Sequence, residues 1–328
     1  MNRSNRLDRR SACLALAGLA FAAPGLAQAD HWPARPIRVI VPTPPGGAYD
    51  ATMRPLAQEL AQILKQPVVV ENRPGAGNIL GTQVGAAAAP DGYTLTMTGM
   101  VNTIAAGVYD NLPFDIVKDF SHIGSIGAAA QWLVVRSDAG FGSMRELIAK
   151  AKAEPGKINY ASSGAGSTGH LLVELLQRSA GIELMHVPYK GGAPALQDVL
   201  GGVVSVIVVP PNTAIAHIKA GKLKLLAVST AQRNPAYPDV PTFEELGFAQ
   251  MTVSSWVGLS APKGTPAAIV QRINAAMETS LARPALRARL EGDGMTPMLM
   301  SPAQFGDLVR SDAQRWIQLT KSLNIKAH

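Results

Sequence analysis

Short apolar or β-branched runs alternate with stretches in which apolar residues recur at helical spacing. The runs of strand length are residues 37–41, 68–70, 94–97, 133–135, 158–161, 203–209 and 223–228. The helical pattern is clearest at residues 56–64 and 171–176. Because strands that alternate with helices are typical of α/β proteins, the pattern predicts parallel sheets covered by helices.

The last third of the chain predicts mainly helices. Proline stands at the first helical position after Thr265, Arg283 and Ser301, and Thr265 and Ser301 are candidate N-caps. No low-complexity linker divides the chain, so a division into two lobes has to be made by strands that cross between them.

Two loops of small residues follow predicted strands and precede predicted helices. They are Pro42-Thr-Pro-Pro-Gly-Gly47 and Ser162-Ser-Gly-Ala-Gly-Ser-Thr-Gly169. The start of a helix directs unpaired N–H groups and the positive end of the helix dipole to one place, which favours an anion. In each half the next strand also ends in a basic, glycine-containing loop, with Arg73 and Lys190. This repetition suggests two similar lobes, although loop cations more often pair with surface carboxylates.

The N-terminus has the pattern of a secretory signal peptide. Four arginines precede an apolar stretch at residues 12–23, and Ala27-Gln-Ala29 is an A-x-A-like cleavage site. We therefore expect export to the periplasm with cleavage after Ala29, and Arg9-Arg10 leaves a twin-arginine route open. The single cysteine, Cys13, would be removed with this segment, so the mature chain would have no disulfide.

Composition argues against nucleic acid as a partner. The formal charge falls from +7 to +4 without residues 1–29, which carry four Arg and one Asp, and aromatic residues make up 5% of the chain. A nucleic-acid binder would show clustered basic residues with interleaved aromatics. His170 and His186 belong to no metal-binding motif, so we expect neither a metal nor another cofactor.

Two enzymatic interpretations of the second loop compete with anion binding. Gly164, Gly166 and Gly169 have the spacing of a dinucleotide fingerprint, with Glu183 further on, but the next predicted strand ends at Pro188 without an acid. The same loop is a near-match to the nucleophile elbow of α/β hydrolases, with Ser167 as the nucleophile. The candidate bases His186, His217 and His328 do not lie in a convincing catalytic loop. The hydrolase remains the alternative to a binding protein.

A series of ordered motifs resembles the Bug-type extracytoplasmic solute receptors, the binding-protein component of tripartite tricarboxylate transporters. The resemblance covers essentially the whole mature chain. The motifs are Trp32-Pro-x-x-Pro36, Pro44-Pro-Gly-Gly47 with Asp50, Val69-Val-Glu-Asn-Arg-Pro-Gly-Ala-Gly77, Pro90-Asp-Gly-Tyr-Thr-Leu95, Leu112-Pro-Phe-Asp115, Lys118-Asp-Phe120, Asn159-Tyr-Ala-Ser162, His186-Val-Pro-Tyr-Lys-Gly191, Ala220-Gly-Lys-Leu223, Pro238-Asp-Val-Pro-Thr242, Trp256-x-Gly-Leu259 and Ala261-Pro-x-Gly-Thr-Pro266.

The resemblance implies a periplasmic, non-catalytic protein with a two-lobed, type II-like Venus-flytrap α/β fold and a mainly helical C-terminus. Lobe 1 would comprise residues 30–130 and 253–328, and lobe 2 would comprise residues 131–252. A small carboxylate, such as an amino acid, a di- or tricarboxylate or an aromatic acid, would bind between the lobes. The partner would be membrane transporter subunits or a sensor, and we expect a monomer.

The resemblance also implies which residues form the site. A ligand carboxylate would be held by backbone N–H groups, hydroxyls and ordered waters, without an arginine clamp. One wall would be formed by Pro45, Gly46, Gly47, Ala48, Tyr49 and Asp50. The other wall would be formed by Ser162, Ser163, Gly164, Gly166, Ser167, Thr168 and His170, with Tyr189 and Lys190 beside it.

Some residues depart from the family pattern. Thr43 replaces a common phenylalanine, Ser205 replaces a frequent aspartate, and Tyr49 is bulkier than usual. Of these, Tyr49 is the one expected to change ligand size or polarity. Asp50 is also a candidate helix cap, and Pro55 would strain a helix that begins at Ala51, so Thr52 is an alternative cap.

Overall fold

The computed structural model describes residues 32–322 and residue 325. The predicted signal peptide and its cleavage after Ala29 lie outside the described residues. Within the described part, no helix combines the length and apolar composition needed to cross a membrane.

Strands and helices alternate along the first two thirds of the described chain, except that the strands at residues 120–129 and 132–136 follow each other directly. The strands are β1 (Ile37–Val41), β2 (Val68–Asn72), β3 (Thr94–Gly99), β4 (Phe120–Ala129), β5 (Trp132–Arg136), β6 (Asn159–Ser162), β7 (Met185–Pro188), β8 (Val206–Val209), β9 (Leu223–Val228), β10 (Ser255–Pro262) and β11 (Met295–Pro297). The α-helices are α1 (Ala48–Leu64), α2 (Ile79–Ala86), α3 (Met100–Val108), α4 (Met144–Ala153), α5 (Thr168–Ala180), α6 (Gly192–Leu200), α7 (Pro211–Lys219), α8 (Ala267–Leu281), α9 (Pro284–Gly292) and α10 (Pro302–Ser322).

The strands form two sheets, one in each lobe. The first has six strands in the order β11-β4-β10-β3-β1-β2, and the second has five in the order β7-β6-β8-β5-β9. Helices α1 and α8 bury apolar residues against one face of the first sheet, including Met53, Leu56, Ile273 and Met277. In the second lobe α5 contributes Leu171, Leu172 and Leu175 to a buried cluster. The two-lobed α/β architecture is therefore confirmed.

The prediction of parallel sheets is only half right, because both sheets are mixed. β1 is parallel to β2 and β3, and β6 is parallel to β7 and β8. β10 runs antiparallel to β3 and β4, and β5 runs antiparallel to β8 and β9. Sheet membership changes between β4 and β5 and again between β9 and β10. The exact lobe boundaries stay a prediction.

Several local expectations need correction. Only residues 206–209 of the apolar run 203–209 form a strand, because the Asn159 side chain bonds the backbone of Val203 and Ser205. Pro266, rather than Thr265, stands at the N-cap of α8, and the Thr265 hydroxyl bonds Pro262 instead. Ser301 does cap α10, since its hydroxyl accepts the N–H of Gln304 at 3.3 Å. The C-terminal third is mainly helical, as expected.

Candidate functional site

The first small-residue loop joins β1 to α1. Helix α1 begins at Ala48 with Gly47 as N-cap, so neither Asp50 nor Thr52 is the cap, and Pro55 lies inside the helix. The loop turns sharply at Gly46, whose φ of +77° is a conformation that other residues adopt at a cost. Strands β1 and β3 are parallel, so this loop lies at the same sheet edge as the end of β3.

Asp50 holds this loop from inside. Its side chain is almost fully buried and accepts hydrogen bonds from the N–H of Gly46 at 2.8 Å, from Nδ2 of Asn72 at 2.9 Å and from Nε of Arg54 at 2.8 Å. Burial alone would raise the pKa of Asp50, but these hydrogen bonds outweigh it and lower the pKa. The Asp50 carboxylate therefore supports the loop and is not open to a ligand.

The N–H groups open to an anion are not those of the two glycines. Gly46 donates to Asp50, and Gly47 donates to the carbonyl of Pro44 at 3.1 Å. The N–H groups of Ala48 and Tyr49 have no acceptor among the described residues. The glycines thus shape the turn, while the first turn of α1 supplies the free donors.

The Tyr49 side chain is partly buried and packs against the core of the first lobe. A Cβ atom built on Gly99 would lie 1.9 Å from the Tyr49 hydroxyl, so this hydroxyl sits directly over Gly99, where β3 ends. Burial raises the pKa of Tyr49, which keeps the phenol neutral. Tyr49 therefore adds bulk and a neutral hydroxyl at the edge of the sheet that carries the first loop.

The second loop, between β6 and α5, is held by its own hydroxyl groups. Ser162 is fully buried, and its Oγ lies 2.7 Å from Nε2 of His186 and accepts the N–H of Gly164 at 3.2 Å. Ser167 is the N-cap of α5, and its Oγ accepts the N–H of His170 at 3.4 Å. These two hydroxyls serve the loop and the helix start.

Two histidine rings lie behind the second loop. Nδ1 of His170 accepts the N–H of Gly166 at 3.1 Å, and the rings of His170 and His186 stack with centroids 4.2 Å apart. The Tyr160 ring is nearly parallel to both, with its centroid 4.8 Å from that of His186 and 6.4 Å from that of His170. Burial, and then the proximity of His170, lower the pKa of His186 to about 4.

The second loop offers its own free donors beside these supports. The N–H groups of Ser163, Ala165, Thr168 and Gly169 have no acceptor in the described part of the chain. Of the neighbouring side chains, Tyr189 bonds Asp198 through its hydroxyl at 2.6 Å, whereas Lys190 is exposed.

Tyr109 brings the two lobes into contact. The sequence did not identify it as a site residue. It follows α3 in lobe 1, and its hydroxyl donates to the carbonyl of Ala165 in the second loop at 3.3 Å. The only available signal was a rare aromatic residue at a helix end, shortly before the Leu112-Pro motif. Arg73, by contrast, pairs with Glu71 on the surface, as loop cations commonly do.

A cavity of about 330 Å³ lies elsewhere between the lobes. It is bordered by the lobe connections at Ala130 and Ser254, by Trp132 and Tyr237, and by residues 291, 292 and 294–296. None of the predicted site residues lines it. Its size is at the lower end of ligand pockets.

The structure gives no support to the enzymatic alternatives. Ser167 caps a helix, and the serine of this loop that contacts a histidine side chain through its hydroxyl is the fully buried Ser162. Glu183 precedes β7, so it lies at the sheet edge opposite the glycine loop. Among the described residues, His, Cys, Asp and Glu form no group of three suited to a metal ion.

Comparison with known proteins decides the family. Residues 52–325 match the model of the tripartite tricarboxylate transporter family receptor. The chain belongs to this receptor family. It is therefore a solute-binding receptor and not an enzyme.

Individual relatives agree with this assignment. Protein BugT of Bordetella pertussis is 36% identical over 318 residues, which cover 95% of this receptor and 98% of BugT. The structure of the periplasmic binding protein BugD has a TM-score of 0.84 at 32% identity and covers 90% of this receptor and 100% of BugD. The structure of MatC from Rhodopseudomonas palustris with bound malate has a TM-score of 0.83 at 31% identity and covers 88% of this receptor and 99% of MatC.

Proposed function

We propose that this receptor captures a small carboxylate between the first turn of α1 and the loop that starts α5. The observation that carries the proposal is the presence of free N–H donors on both sides, at Ala48 and Tyr49 in one lobe and at Ser163, Ala165 and Thr168 in the other. Helix dipoles add a positive potential at both starts without a buried cation. A carboxylate bound to both loops would hold the lobes together.

The bound malate in MatC makes a small dicarboxylate the first probe for this receptor. Recognition by backbone groups specifies the carboxylate and leaves the rest of the ligand to the cleft walls. Tyr49 and Lys190 are the residues at these walls that would distinguish one acid from another. Gly46, Gly47, Asp50, Ser162 and His170 would keep the loops in shape.

The transport role would follow from closure of the lobes. Residues 30–130 and 253–328 would move as one lobe against residues 131–252, and ligand binding would shift the equilibrium towards the closed form. The closed, monomeric receptor would deliver its ligand to membrane subunits of a tripartite tricarboxylate-type transporter. Its mature chain would begin at Asp30 after periplasmic cleavage, which N-terminal sequencing of exported protein tests directly.

A thermal-shift screen of the mature protein over carboxylic acids tests the function. A ligand at about a hundred times its dissociation constant adds roughly 2.7 kcal/mol to the free energy of unfolding. We expect stabilisation by at least one small carboxylate and none by the corresponding amide. If no acid stabilises the protein, or if its amide does so equally, the proposal is wrong.

A further inference from the structure

The hydrogen bond between Gly166 and His170 defines the protonation state of the histidine. The N–H of Gly166 points at Nδ1 of His170 at 3.1 Å, so Nδ1 acts as an acceptor and carries no proton. An imidazole that accepts at one nitrogen is neutral, with its proton on Nε2. The observed loop therefore requires an uncharged His170.

Gly166 is a sensitive position in the second loop. Its φ is +75°, and it lies between Ala165, which contacts Tyr109 across the cleft, and Ser167, which caps α5. A change in the direction of its peptide group would redirect the neighbouring N–H groups of the loop. The His170 imidazole accepts the N–H of this peptide group.

The surroundings of His170 do not favour a positive charge on both histidine rings at once. The ring of His186 lies 4.2 Å from that of His170, so two positive rings would repel each other strongly. The low pKa of His186, about 4, keeps that ring neutral at ordinary pH. A charged group close to the two rings is Glu174, one turn further along α5, which accepts the Tyr160 hydroxyl at 2.8 Å and partly offsets the lowering of the His186 pKa.

We propose that His170 is a positioning residue of the carboxylate site, which holds the second loop in its binding shape only while its imidazole is neutral. Protonation at Nδ1 removes the acceptor of the Gly166 N–H and lets the loop rearrange. The ligand should therefore be released as the pH falls. Simple attraction would give the opposite result, because a cationic imidazole near the site would strengthen carboxylate binding.

The first test needs no ligand and therefore does not depend on the proposed function. Hydrogen exchange of the Gly166 amide and the ring ¹⁵N shifts of His170 are followed by NMR on the mature protein from about pH 8 to about pH 5. The protection factor of Gly166 should fall together with protonation of the His170 ring. If protection of Gly166 does not change as the ring becomes protonated, the proposal is overturned.

Two variants separate the acceptor from the charge. His170→Asn keeps an oxygen acceptor near the position of Nδ1 but cannot be protonated, so Gly166 should stay protected over the whole range. His170→Leu has no acceptor and should leave Gly166 unprotected at every pH. Equal protection in the two variants would contradict the role of the acceptor. His217→Asn, on α7, is the matched control for the loss of a histidine.

The second test measures binding and rests on the proposed function. With malate as the probe, calorimetry should show the affinity of the wild type falling about tenfold once the His170 ring is protonated, as reported by its ¹⁵N shifts, and that of His170→Asn changing less than about twofold at the same pH values. An affinity that rises with acidification in the wild type would overturn the proposal. Absence of malate binding at every pH would count against malate as a ligand, and the exchange measurement would still decide the role of His170.

Discussion

The buried carboxylate of Asp50 accepts the backbone N–H of Gly46 across the first turn of α1, at 2.8 Å. This contact ties the turn at Gly46, with its positive φ, to the start of the helix. Arg54 and Asn72 complete the network, so the first loop is fixed before any ligand arrives. Preorganisation of this kind lowers the cost of binding.

Asp50→Asn should therefore weaken carboxylate binding although Asp50 does not contact the ligand. The amide cannot accept from Gly46, Arg54 and Asn72 together, and an unpaired buried group costs about 1–3 kcal/mol. We expect binding by calorimetry to weaken about tenfold or more. Asp91→Asn, which removes a partly exposed partner of Arg35, is the control and should have little effect. Equal affinities for the two variants would contradict this role of Asp50.

The lowered pKa of Asp50 also predicts a pH dependence of stability. Because the pKa is lower in the folded protein, the ionised carboxylate stabilises the fold above its ordinary pKa of about 3.9. This contribution should be lost as the pH falls through the lowered value. Chemical denaturation should show that Asp50→Asn reduces the acid-dependent loss of stability. If the free energy of unfolding of Asp50→Asn depended on pH as steeply as that of the wild type below about pH 4, Asp50 would not be responsible for this pH dependence.

Gly47→Val and Arg73→Ala distinguish recognition by backbone groups from recognition by a cation. A Cβ on Gly47 would lie 3.1 Å from the carbonyl of Pro44, so a branched side chain should push the loop out of shape. Arg73 pairs with Glu71 at the surface, so its replacement by alanine should weaken the free energy of ligand binding by about 1 kcal/mol or less. Calorimetry should show binding abolished in the first variant and nearly unchanged in the second. The reverse pattern would establish a cation-based site.

The positions of the two loops could be predicted from the sequence because the residues that indicate them are close together in the chain. Small residues, a preceding strand and a following helix lie within a few positions of one another in both loops. The supports of the loops are not local. Asn72 reaches Asp50 from the next strand, and His186 reaches Ser162 from another strand. Only the parallel pairing of the strands brings these side chains together.

The prediction of Thr265 as an N-cap was wrong because the signal in the sequence did not show which acceptor the hydroxyl would find. Thr265 is followed by proline and fits the composition of a helix start, yet its hydroxyl bonds Pro262 and Pro266 takes the cap position. Tyr109 could not be recognised because its partner, Ala165, lies in the other lobe. Contacts between lobes leave no periodic signal in the sequence.

Tyr109 should favour the closed arrangement of the lobes. Tyr109→Phe keeps the ring that packs near Gly166 and loses one hydrogen bond to Ala165, typically worth about 1 kcal/mol. Tyr109→Ala loses both contacts. We expect a small loss of affinity in the first variant and a larger one in the second, with an increased radius of gyration by small-angle scattering of the ligand-free protein. Identical radii in wild type and Tyr109→Ala would refute the bridging role.

The buried carboxylate of Asp312 gives a prediction about stability. Asp312 accepts from the Thr103 hydroxyl at 2.7 Å and from the Trp256 indole N–H at 3.0 Å, and burial raises its pKa. Asp312→Ala should lower the free energy of unfolding by about 1–3 kcal/mol, because the buried indole N–H of Trp256 loses its acceptor, whereas the Thr103 hydroxyl can still donate to the carbonyl of Met100. Asp312→Asn retains an acceptor and should cost less in denaturant unfolding at neutral pH. A larger loss for the asparagine variant would show that the charge itself is stabilising.

The most direct test of the central claim is a crystal structure of the mature protein with the carboxylate that stabilises it most. We predict carboxylate oxygens within about 3.2 Å of the N–H groups of Ala48 or Tyr49 on one side and of Ser163, Ala165 or Thr168 on the other. A ligand bound instead in the cavity beside Trp132 and Tyr237, without contact to either loop, would contradict the account.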